Sequence, residues 1–254
     1  MKNLKKAIVI VIIIGLIIYG CYYVIRGVSK NSKEEQSKLN QNDFKSNEIN
    51  EDIEKNDGFK EENVYRNVIE DYKAALEEYN INEYMKIEDK YPLVGESLIS
   101  YVKINSKNNI GLGYTYYDID NNGRKELIVG ITNQYDSTVN PAAIYTYTKD
   151  EQVKKIYVLG TIERGLLSIY DNAVIFSMEP DGAATYYYKF CKISDEGDST
   201  EILEEVREEY KTEKNVIYYN EKNDDELDYK NNNEMIEKYI KGNEEVKFNV
   251  IGKI

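Results

Sequence analysis

A chain of 254 residues has room for one ordinary domain with accessory segments, because a single core of usual size needs roughly 100 to 200 residues. The formal charge is −13, and since residues 1–33 carry six bases and no acid, the remainder sets 27 basic against 46 acidic side chains, a net −19 that repels a phosphate backbone and excludes nucleic acid as the expected partner. The absence of histidine removes Ser-His-Asp and Cys-His catalysis, and two cysteines, Cys21 and Cys191, can build neither a disulfide framework nor a four-Cys zinc site.

In chain order, the basic start with Lys2, Lys5 and Lys6 leads into Ala7 to Ile25, 19 residues without a charge. As a helix this run would span roughly 28 Å, close to the ~30 Å of a bilayer core. The expectation is a single-pass signal-anchor in the cell membrane, with residues 1–25 as cytoplasmic start and anchor, the N-terminus inside and the domain outside. A lipoprotein-like lipid anchor on Cys21, after Ile18-Tyr19-Gly20, is the alternative reading. Residues 26–60 are rich in Lys, Asn, Ser, Glu and Asp with isolated apolar side chains, which predicts a polar linker.

Residues 61–254 form the expected extracellular domain. Val64, Val68, Tyr72, Ala75, Leu76 and Tyr79 recur at helical spacing and predict an amphipathic helix. A second helix is expected from Glu83 to Lys90, stopped by Pro92. Beyond Leu112, short runs rich in Tyr, Ile, Val and Thr alternate with Asn, Asp and Gly. They predict strands near 112–117, 126–131, 143–147, 153–159, 166–170, 174–178, 185–193, 202–210 and 216–219, joined by tight turns at Lys149-Asp150, Asp171-Asn172, Asp181-Gly182 and Glu196-Gly197. A closing helix at 233–240 and a last strand at 246–250 complete the expected fold class: α+β, an N-terminal transmembrane helix and linker, then an antiparallel β-meander flanked by N- and C-terminal helices.

One segment carries chemistry. In Tyr116 to Gly130, Asp118, Asp120 and Asn122 stand at alternate positions, followed by Gly123, Arg124 and Glu126. A curled loop of that pattern turns successive oxygens toward one point, and a hard cation such as calcium takes six to eight oxygens near ~2.4 Å. The expected ligand set is Asp118, Asp120 and Asn122 through their side chains, Arg124 through its carbonyl and Glu126 through its carboxylate, holding a structural Ca2+. Val129 occupies the place of the bidentate Glu of an EF-hand, and a strand follows, so the loop is of another type. The alternative is a metal-free hairpin loop whose Asp and Asn side chains cap their own backbone.

The loop resembles the calcium loops of integrin-type and other extracellular β-repeat proteins. The longer pattern Y-x-D-I-D-x-x-G-x-x-E-L-I-x-G resembles a family of uncharacterised secreted proteins and lipoproteins of Gram-positive bacteria. That resemblance implies an extracellular setting and carries no activity. Ser100 to Lys103 matches S-x-x-K without the partner motifs of serine acyl-enzymes. Twenty-five tyrosines without a tryptophan suit half-buried strands, or an exposed row of rings for stacking on sugars. The function expected from these features is a membrane-anchored binding or sensing domain of the bacterial cell envelope, calcium-stabilised and without catalysis. Its expected partners are the membrane through Ala7 to Ile25 and a cell-wall glycan or surface protein. The alternative is a carboxylate-dependent glycan hydrolase of the envelope.

Overall fold

The computed structural model describes residues 61–80, 87–133, 135, 137–212 and 215–254. The expected span Ala7 to Ile25, the Cys21 lipid site and the linker lie outside the described residues.

Among the described residues four α-helices precede the strands: α1 (Glu61–Val64), α2 (Arg66–Glu78), α3 (Ile87–Lys90) and α4 (Glu96–Ile104). Helix α2 buries Val68, Ile69, Tyr72 and Ala75, the stripe that the 3.6-residue period calls for. Helix α4, where Ile99, Tyr101 and Val102 are residues that favour strands in isolation, buries Leu98, Ile99 and Val102. A hydroxyl chain fastens these helices to the sheet. Tyr145 donates to the Leu93 carbonyl at 2.7 Å. Its proton being committed there, Tyr72 donates to the Tyr145 oxygen at 2.7 Å and accepts from the Gly95 N–H at 3.0 Å.

The first sheet contains β1 (Ile110–Tyr117), β2 (Glu126–Asn133), β3 (Thr138–Tyr147), β4 (Val153–Val158), β11 (Phe248–Asn249) and β12 (Gly252–Lys253). Its order is β11-β3-β2-β1-β12, with β4 also paired to β3. Strand β2 is buried from Glu126 through Gly130 without alternation, as a central strand covered on both faces must be. At the bulge after Val129, a Cβ on Gly130 would stand 2.0 Å from the Asn140 carbonyl oxygen, so only glycine admits β3 there.

The second sheet is a meander of β5 (Leu166–Ile169), β6 (Ile175–Pro180), β7 (Thr185–Ile193), β8 (Thr200–Thr212), β9 (Asn215–Asn220) and β10 (Asp225–Leu227), in the order β10-β9-β8-β7-β6-β5. Period-two alternation divides its side chains. Leu167, Ile169, Ile175, Cys191 and Ile193 join the core of the first sheet and its helices. Phe176, Tyr188, Phe190, Val206 and Tyr218 face the other way and are covered by α5 (Asn232–Ile240), which contributes Met235. Phe190 is fully buried between Phe176 and Tyr239, with ring centroids at 5.1 and 4.3 Å. Such pairs add about 0.5–1.5 kcal/mol each beyond their buried area. Helix α5 is capped by Asn231, whose Oδ1 accepts the Glu234 N–H at 3.0 Å.

The expected fold class is corrected. The described chain is mainly antiparallel β, with a few short helices and two six-stranded sheets in place of one meander between helices. Twelve twisted strands exceed what one open sheet carries without splitting into packed layers. The chain leaves the first sheet after β4, builds the second, and returns as β11 and β12 to pair with β3 and β1. The membrane and signal-anchor assignment is corrected with it: among the described residues no helix is long and apolar enough to cross a membrane.

Candidate metal centre

The acidic loop joins β1 to β2, the best-paired hairpin of the first sheet, whose register runs unbroken from Ile110–Asn133 to Tyr117–Glu126. Its backbone is bent by two residues in the left-handed region, Asn121 at φ 59° and Gly123 at φ 87°. Asp118 and Asp120 hold that bend from within. Asp118 accepts the N–H groups of Asn122 and Gly123 through its two oxygens, at 3.0 and 2.9 Å. Asp120 accepts from the Asn122 N–H at 3.2 Å and from its side-chain amide at 2.8 Å.

Glu126 opens β2 and points back under the loop. It is 1% exposed and accepts the N–H of Ile119, also buried, at 2.8 Å. One oxygen each of Asp118, Asp120 and Glu126 lie within 4.8 Å of one another. A single ion with metal–oxygen distances of ~2.4 Å can reach oxygens so spaced. Burial, and then the charges of Asp120 and Asp118, push the Glu126 carboxyl up to about 8. The phenol of neighbouring Tyr65 is raised by its own burial and then by Glu126. Tyr65 nonetheless donates to the Lys125 carbonyl, at 3.0 Å, and leaves the carboxylate without that donor.

Of the five expected ligands, the three acids are brought together. Asn122 and Arg124 are tied to each other, the Asn122 Oδ1 accepting the Arg124 N–H at 2.7 Å. That oxygen keeps a second lone pair, and the Arg124 side chain is exposed. The loop also forms one wall of a cleft of about 520 Å³, whose opposite wall is the turn from Lys192 to Gly197 between β7 and β8. Sequence reasoning did not find that wall, because nothing local ties a turn at residue 195 to a loop at 120.

The other singled-out features are absorbed by packing. Ser100 Oγ pairs with the Tyr79 hydroxyl at 3.0 Å, and no hydrogen bond joins it to Lys103 among the described residues. Tyr145 and Tyr188 are core residues, while Tyr186 and Tyr187 are half-buried. Cys191 is buried and free, its thiol pushed up to about 11 by burial. No family model, curated protein or solved structure matches the chain.

Proposed function

We propose that this chain is a non-catalytic binding or sensing domain of the bacterial cell envelope, made rigid by a calcium ion at Asp118, Asp120 and Glu126. The observation that carries this reading is the burial of Glu126 beside two aspartates. A buried carboxylate among like charges is costly unless a cation neutralises the group, and the hard oxygens favour calcium or magnesium over softer metals. Calcium tolerates the irregular coordination of such a loop, where magnesium demands a near-octahedral shell. The ion would tie the β1–β2 turn to the start of a central strand. Outside cells an affinity of about 10⁻⁴ to 10⁻³ M suffices for such modules. The likeness of Tyr116 to Gly130 to secreted Gram-positive proteins supports the same setting, with a cell-wall glycan or surface protein as partner.

A carboxyl titrating near 8 would also suit a general acid. With 1% exposure, however, Glu126 cannot meet a glycosidic oxygen, which favours the structural role over the hydrolase. Calorimetric titration of the full chain with calcium tests the proposal. Heat of binding is expected for the parent, with affinity at least tenfold weaker in Asp118→Asn. Absence of both heat and thermal stabilisation at millimolar calcium would overturn the reading.

A further inference from the structure

The cleft beside the loop has a charge pattern that the calcium reading does not absorb. Its cations are Arg124, Lys149 and Lys192, and its acids are Asp120, Asp195 and Glu196. Lys149 is paired with Glu196 at 3.2 Å. Asp120 belongs to the group of three carboxylates, whose negative charge a divalent ion would largely offset. Arg124 and Lys192 remain, against Asp195: all three are exposed, and their side chains enter no ion pair or hydrogen bond among the described residues. In a chain with 46 acids to 33 bases, a cleft lined by three cations and three acids, one of each already paired, departs from the acidic average of the chain. A cation seated at its rim would add positive charge to the same space, so the cleft becomes more favourable to anions when the loop is loaded. A volume of about 520 Å³ lies in the range that takes small ligands, and Tyr147 adds an aromatic surface to the lining.

We propose that this cleft binds an anionic sugar or polyol, its phosphate or carboxylate group held between Arg124 and Lys192, with affinity that depends on occupation of the neighbouring cation site. The dependence on the cation rests on the calcium reading. The contribution of Arg124 and Lys192 does not. The assignment deepens the binding role by naming the ligand class, and the coupling makes the domain a reader of the two together.

The test uses the full chain and three probes, glycerol phosphate, glucuronic acid and neutral glucose, titrated by ligand-observed NMR with calcium or with chelator. Both anions are expected to bind with calcium, at least tenfold more weakly with chelator, and glucose to bind more weakly than either. Preference for one anion assigns the ligand to the phosphate or the carboxylate class. Lys192→Glu, an exposed charge reversal, is expected to weaken the anion at least tenfold while calcium calorimetry stays at the parent value, and Lys192→Arg to restore it. Equal binding of glucose, or an unchanged affinity in Lys192→Glu, would overturn the cleft assignment and leave the calcium reading standing. Anion binding that is sensitive to Lys192, with no calcium heat and no effect of chelator, would support the cleft and overturn the calcium reading.

Discussion

The two sheets each bury a glutamate to 1% exposure, and the two are treated in opposite ways. Glu208, on β8, is met by neutral hydroxyls: the Tyr188 hydroxyl donates to one oxygen, and the Tyr218 hydroxyl lies 3.5 Å from the other while giving its proton to Asn232. Asn232 of α5 completes the set, donating to the Tyr188 oxygen at 2.9 Å and accepting from Tyr218. Glu126, on β2, has the Ile119 N–H and two aspartates, while the nearest phenol turns to a backbone carbonyl. A buried carboxylate supplied with hydroxyl donors is a structural tie between helix and sheet. One left among like charges is the group that the proposed cation would neutralise.

The largest effect is expected at Glu208. Glu208→Ala leaves the Tyr188 hydroxyl proton without an acceptor and opens a void inside the second sheet, and should cost about 3 kcal/mol. Urea denaturation monitored by tyrosine fluorescence measures it, and the loss should be the same with and without calcium. Equal rescue of this variant and the parent by calcium fits the comparison; a loss of the calcium response would break it. Calcium itself comes next. At about 100-fold above its dissociation constant it should stabilise the parent by about 2.7 kcal/mol, and Asp118→Asn should remove most of that gain. Tyr188→Phe follows, at about 2 kcal/mol, because a bond to a charged acceptor is lost while the ring still packs at 6.2 Å from Phe176.

How much of this was legible in the sequence differs between the two glutamates. The convergence of Asp118, Asp120 and Glu126 was legible, because acids at alternate positions followed by a glycine bend are a local pattern. Strand positions from Ile110 to Asn220 were legible for a similar reason, since alternation and turn residues are local signals. The partition into two sheets was not. It depends on β11 and β12 pairing with strands more than a hundred residues earlier. Helix α4 was hidden by residues that favour strands in isolation and are helical here because they pack on the first sheet. Glu208 lies in Leu203-Glu204-Glu205-Val206-Arg207-Glu208-Glu209, within the expected strand 202–210, where five charges in seven residues give no sign of which one is buried. Its burial comes from α5 and from tyrosines on β7 and β9, none of them sequence neighbours.

The smallest effect per increment, and the sharpest in sign, is the pH dependence of Glu126. Its carboxyl titrates near the ordinary 4.5 in the unfolded chain and near 8 in the ion-free fold. Between those values the folded state holds the extra proton, so the stability associated with protonated Glu126 is full below about pH 4.5 and gone above about pH 8. Ion-free stability should therefore fall as pH rises, with a contribution of at most about 1.4 kcal/mol per pH unit from this one group. Calcium binds the ionised form, so its affinity should rise across the same window and its presence should oppose the decline. Glu126→Gln keeps an oxygen for the Ile119 N–H but cannot ionise. Thermal melts of this variant without calcium should show that contribution removed and greater stability than the parent at pH 8, together with loss of the calcium response. Were Glu126 instead a satisfied tie like Glu208, Glu126→Gln would destabilise at pH 8, and the contrast between the two sheets would collapse.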